Sequence, residues 1–205
     1  FTNCTFYGNS AALGRGGAIY TGMDCKVINC TFTGNRAFNG GGFYGHNAGK
    51  MYTLINTICY NNIDENETGD IRRNNGDFTI YNCLATVVSP ALAENFDSNG
   101  NILTTPAMKV FENDAAPELK DNGGNTLTAK AGIATAPAGI DVTIPTVDQR
   151  GYTRAAKPCM GAFELGGIEP VGIQTATADA KFNYSVEKGR LVIAESGECR
   201  IFNML

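Results

Sequence analysis

Six charged side chains crowd one short stretch of this 205-residue chain: Asp64, Glu65, Glu67 and Asp70, followed at once by Arg72 and Arg73. Carboxylate oxygens at that density suit Ca2+, which takes its ligands from Asp and Glu. Asp64, Glu65, Glu67 and Asp70 would hold the ion, with Arg72 or Lys50 beside it as a base. The spacing matches no loop with defined ligand positions, so a solvated charged loop is the simpler reading. Other chemistries lack their partners. His46 is the only histidine, sits between glycines, and has no Cys or Ser placed for a nucleophile–base pair. Glycoside hydrolysis needs two carboxylates at a set separation, and the repeats place no such pair on one face. No catalytic residue is assigned.

The charged stretch interrupts a repeat. Phe1-Thr-Asn-Cys-Thr-Phe-Tyr-Gly-Asn9 returns 26 residues later as Val27-Ile-Asn-Cys-Thr-Phe-Thr-Gly-Asn35, then as Leu54–Asn62, and a fourth copy opens at Ile80-Tyr-Asn-Cys83. A fixed period of this size signals a solenoid, and insertions into single repeats map to exposed loops. Side chains alternate within each copy, so Ile28, Cys30 and Phe32 are expected on one face of a strand and Asn29, Thr31 and Thr33 on the other. Phe6 and Cys4 are the equivalents in the first copy. Gly-Asn or Asn-Asn then supplies a left-handed turn. Gly16-Gly-Ala-Ile-Tyr20 is echoed by Gly40-Gly-Gly-Phe-Tyr44, which puts Ile19, Phe43 and Ile71 in one inward row. Each coil is read as two or three short strands that bury their apolar face only by stacking.

Seven cysteines are present. Cys4, Cys30 and Cys83 share one repeat position, no CxxC pair occurs, and small buried free thiols are the reading. Cys25 and Cys199 are less constrained, and Cys25 could pair locally. Asn3, Asn29, Asn56 and Asn82 form a second row. Asn3, Asn29, Asn66 and Asn183 also match the glycosylation pattern, but for the first two a ladder of stacked amides explains the register without a glycan.

Composition excludes more than it assigns. Sixteen Lys and Arg against twenty Asp and Glu give a net charge of −4 without a basic run, which argues against a nucleic-acid or anionic-membrane surface. No apolar stretch approaches the roughly 18 residues of a membrane-spanning helix. The chain starts inside a repeat, so upstream coils are expected. An open strand edge at Phe1–Phe6 would then favour self-association.

The Asn-Cys-Thr-Phe and Gly-Gly-Ala-Ile-Tyr motifs resemble right-handed parallel β-helix repeats of bacterial surface proteins, including polymorphic outer-membrane and adhesin-like repeats, over about residues 1–88. The series Asp121–Thr128, Ala136–Asp141, Asp148-Gln-Arg-Gly151, Arg154 and Gly161-Ala-Phe-Glu164 resembles the choice-of-anchor Q domain. It departs at Ala136 and at Cys159-Met160. Region 89–165 is therefore expected to cap the solenoid, with Asp141, Asp148, Arg150, Arg154 and Glu164 as structural ties rather than a catalytic or Ca2+ cluster. Residues 166–205 form a linker and three short strands, at 181–186, 189–193 and 199–203. They resemble the start of the C-terminal sorting domain of type IX secretion substrates of Bacteroidetes-like bacteria.

The resemblances imply an all-β, right-handed parallel β-helix with a cap and a small β tail, extracellular or on a bacterial outer surface. The expected role is a non-enzymatic stalk or adhesin with a glycan or host-surface ligand and no cofactor. The alternative is a Ca2+-dependent polysaccharide lyase: the 64–73 stretch would then resemble the β-helical lyases, in which Ca2+ acidifies the uronate α-proton, with Lys50, Arg72 and Arg73 contacting the polysaccharide.

Overall fold

The computed structural model describes residues 1–66, 69–96, 98–105, 110, 132–169, 184–187 and 190–193. The chain divides into two units, Phe1–Pro170 and Val171–Leu205. The first is a parallel β-solenoid of about three turns. Its first coil holds β1 (Thr5–Tyr7), β2 (Ser10–Arg15), β3 (Ile19–Thr21) and β4 (Cys25–Ile28). The second holds β5 (Thr31–Thr33), β6 (Arg36–Asn39), β7 (Phe43–Gly45) and β8 (Met51–Ile55). The third holds β9 (Ile58–Tyr60), β10 (Ile63–Asp64), β11 (Ile71–Arg73) and β12 (Asp77–Tyr81), and β13 (Leu84–Ala85) opens the next. Stacking yields four parallel sheets, β1-β5-β9-β13-β14 with β14 at Ile102–Leu103, β2-β6-β10, β3-β7-β11 and β4-β8-β12. A coil thus carries four strands rather than two or three.

The corners explain the count. Asn3, Asn29, Asn56 and Asn82 all adopt positive φ, between 47° and 53°, the left-handed region that Asn tolerates better than most residues. The nonapeptide is therefore not one strand. It bends at Asn29, and the bend splits its side chains. Val27, Cys30 and Phe32 point into the solenoid, while Ile28 joins a separate outer cluster with Ile55 and Ile144. The expected alternation failed at Ile28 because a left-handed residue reverses which face follows it. The second corner uses Gly8, Gly34 and Asn61, and the third Gly16 and Gly40, all with positive φ. At Gly41 an added Cβ would lie 2.8 Å from the Ile63 backbone. Backbones of successive coils pass too closely there for any side chain.

Inside, Phe6 stacks on Phe32 with ring centroids 4.8 Å apart, in register with Cys59 and Ala85. The row Ile19, Phe43, Ile71 forms as the repeat demands. Leu92 and Phe96, from a 3-10 turn (Pro90–Leu92) and the single helical turn α1 (Ala93–Phe96), belong to the same core cluster.

Residues 132–169 run back along the outside as a strap. Ile58, Leu84 and Tyr60, which face outward from the five-stranded sheet, are buried with Met160 and Val110. The strap covers this outer face, so Thr31, Ile58 and Leu84 are all buried, and Thr31 Oγ1 accepts the Ala162 N–H at 3.0 Å. In the second unit, β15 (Tyr184–Glu187) and β16 (Arg190–Ile193) pair antiparallel. The third tail strand and the Asp121–Thr128 motif lie outside the described residues.

Candidate functional site

The charged stretch does not converge on a point. Asp64 accepts the Gly40 N–H at 2.6 Å and the Asn66 N–H at 2.9 Å. Glu65 pairs with Arg36 at 2.5 Å on the surface. Asp70 points inward and is 2% exposed. Glu67 lies outside the described residues. Among the described residues, no three His, Cys, Asp or Glu side chains gather as a metal site would require.

Asp70 has a different setting, and the sequence reading missed it. Asn9 Nδ2 donates to Asn35 Oδ1, and Asn35 Nδ2 donates to Asn62 Oδ1, each at 2.8 Å. Each of the three begins the turn after a left-handed residue, so their amides stack coil on coil. Asp70 ends this ladder. Its carboxylate accepts the N–H groups of Asn62, Thr86 and Val87 at 2.9, 2.7 and 3.2 Å. Burial pushes its carboxyl up to about 6, against the pull of those donors.

The expected row of Asn3, Asn29, Asn56 and Asn82 is a ladder only in part. Asn56 Nδ2 reaches Asn29 Oδ1 at 3.3 Å, but the stronger bonds run to the strap. Asn56 exchanges bonds with the backbone of Ile133 at 2.8 Å in each direction, and Asn29 donates to the Cys159 carbonyl. Both asparagines are fully buried, which leaves no access for a glycan. The cysteine column also does more than fill space. Cys30 Sγ accepts the Cys4 N–H, Thr57 Oγ1 accepts the Cys30 N–H, and Asn101 Oδ1 accepts the Cys83 N–H. The bend at each Asn leaves the N–H of the following residue out of the sheet, and a side chain of the next coil receives it. Burial pushes the thiols of Cys30 and Cys83 up to about 12, so neither is a nucleophile at neutral pH. Cys4, Cys25, Cys30, Cys59, Cys83 and Cys159 are all free.

The strap residues assemble as a tie. Asp148 takes the Arg150 guanidinium at 2.7 Å and the N–H groups of Arg150, Tyr152 and Glu164. Burial opposes its charge, but these donors outweigh burial and hold the carboxyl below its ordinary value. Arg154 pairs with Glu164 at 3.0 Å, both nearly sealed from solvent, and reaches Asn3 Oδ1 at 2.9 Å. Glu164 also accepts the Cys159 N–H at 2.8 Å. Asp141 stands apart, fully exposed beside Lys26. With donors filling its lone pairs, this cluster holds no vacant acid or base.

Among the described residues, the strap packs on the five-stranded sheet and on Ile28 and Ile55 of the β4-β8-β12 sheet, and not on the β2-β6-β10 or β3-β7-β11 sheets. Tyr20, Tyr44 and Arg72 stand in register on the outer face of the latter. Tyr20 and Tyr44 stack at 5.6 Å, and His46 lies 5.5 Å from Tyr20. The guanidinium carbons of Arg15 and Arg72 sit 5.6 and 5.8 Å from the Tyr44 ring centre. A cleft of about 550 Å3 opens beside them, lined by Leu13, Arg15, Tyr20, Phe38 and Asn39 among others. Of the three basic residues expected together, Arg72 belongs to this face. Arg73 lies at the following corner, where its N–H meets Ser89, and Lys50 lies before β8.

No protein-family model, curated protein or solved structure matches the chain. The fold assignment therefore rests on strand register.

Proposed function

We propose that this chain is a secreted or cell-surface β-solenoid that acts as a non-enzymatic stalk or adhesin-like display element. The observation that carries this reading is the use of its carboxylates. Asp64, Glu65, Asp70, Asp148 and Glu164 all spend their oxygens on backbone N–H groups or arginines that join coil to coil or strap to coil. Oxygens so engaged are committed to the fold and are not free to gather around a cation. Among the described residues, the outer row Tyr20, Tyr44, Arg72 contains no acid. The surface location is supported by the resemblance of the strap to the choice-of-anchor Q series and of the tail to type IX sorting domains.

The test is an ultraviolet assay for unsaturated uronate products from acidic polysaccharides, with and without Ca2+. No product in either condition is expected. Ca2+-dependent product would replace this reading with that of a polysaccharide lyase.

A further inference from the structure

Among the described residues, Arg15 and Arg72 are cations without a counter-charge: neither has a carboxylate within ion-pair distance. Of the described acids of the third coil, Asp64 accepts the Gly40 and Asn66 N–H groups, Glu65 pairs with Arg36 and Asp70 is buried. Arg72 Nε is itself sealed from solvent and makes no hydrogen bond. In a chain of net charge −4, acidic partners are in surplus. Two guanidiniums left facing one tyrosine ring therefore mark a place of local positive potential.

The surroundings add shape. Tyr20 is 49% exposed, Phe38 45% and Leu13 98%, so the cleft has apolar walls beside the charge. Its volume falls within the roughly 300–1,000 Å3 of small-ligand sites. A guanidinium offers a planar fork that matches a carboxylate, and a tyrosine face offers a platform for the C–H face of a sugar ring. A polyphosphate backbone or an anionic membrane would call for a longer run of Lys and Arg than this face has.

We infer that the Arg15–Tyr20–Tyr44–Arg72 face and its cleft bind a carboxylated polysaccharide, with a uronate carboxylate on the arginines and its ring against Tyr20. Tyr44 is a positioning residue, holding both guanidiniums from below. This rests on and deepens the display reading, since it names what such an element would hold, and it requires no turnover.

The test is affinity electrophoresis of the 205-residue chain through gels containing polygalacturonate or its fully methyl-esterified form, which removes the charge and keeps the sugar. Retardation by the acid form alone is expected, weakening as salt is added. Arg15→Ala and Tyr20→Ala, both at exposed positions, should each weaken it about tenfold, the loss of one charge-assisted bond or one stacked ring. Arg15→Lys should restore part of the loss, and Lys157→Ala on the strap should change nothing. Equal retardation by the esterified polymer, indifference to the Arg15 and Tyr20 variants, or retardation only by a single-stranded oligonucleotide would overturn the inference. Absence of retardation would overturn it too, while leaving the display reading intact. Appearance of unsaturated product would instead sink the display reading.

Discussion

Asp70 is the residue whose surroundings give it a measurable signature. Its carboxyl rises from an ordinary 3.8 to about 6 because it is buried at the end of the Asn9–Asn35–Asn62 ladder. Below the ordinary value both folded and unfolded chains carry the proton. Between there and about pH 6 only the folded chain keeps it, so its contribution to stability falls as pH rises and is gone above about 6. The span corresponds to something on the order of 2–3 kcal/mol. Urea unfolding of the wild-type chain and of Asp70→Asn across pH 4–7 should show their difference changing only in that window. A difference that is flat, or of opposite slope, would contradict this account. The carboxylate density at 64–70 was legible in the sequence, but not its purpose. Spacing along the chain cannot show that Asp64 turns back to Gly40 while Asp70 turns inward.

At the scale of the element, the repeat is held by what happens at its corners. Asn35 accepts from Asn9, donates to Asn62 Oδ1 and donates to the Phe6 carbonyl at 2.9 Å. Its replacement by Ala would strand several buried polar groups at once. Asn35→Ala should therefore cost about 2–4 kcal/mol by denaturant unfolding, and Asn9→Ala, at the exposed end of the row, less than about 1 kcal/mol. Similar losses for the two would mean that the ladder is not cooperative. The positive φ expected at Gly8, Gly34 and Asn61 is found, because a turn-forming pair after an alternating strand is a local signal. The bend at Asn29 was harder to see. Asn also suits an exposed strand position facing a stacked copy of itself, and only the strap's claim on Asn29 and Asn56 explains why both are sealed.

Among the described residues, the solenoid unit is a set of parallel sheets whose first strands, β1 to β4, pair on one side only. Phe1 and Tyr7 are exposed there, at 56% and 38%. Unpaired edges with apolar flanks template further pairing. The 205-residue chain should therefore show concentration-dependent association by sedimentation velocity, reduced by Thr5→Pro, which removes a ladder donor from β1. A monomer at all concentrations would rule this out. Among the described residues, the strap divides the surface into a covered side, fixed by Arg154, Glu164 and the Asn row, and a side without strap contacts that carries Arg15, Tyr20 and Arg72. Two of those three came from outside the stretch that composition highlighted, since a lone Arg15 and a Tyr20 in a Gly-rich repeat give no signal of their own.

The sequence alone determined that this chain stacks: a period of 26–27 residues, alternating apolar positions and left-handed corner residues can be satisfied together only by a parallel solenoid. Those are local, repeated constraints, and they read directly from the order of residues. What only the tertiary structure decided is which polar groups meet. The ladder that ends on Asp70, the sulfur and hydroxyl acceptors that answer each bent coil's free N–H, and the two arginines over Tyr44 all join residues one or more coils apart. The strap adds contacts across more than a hundred positions, from Asn3 to Arg154 and from Asn29 to Cys159. Hydrogen bonds and charge pairs act over a few ångströms and carry no mark in the chain of the partner they will find.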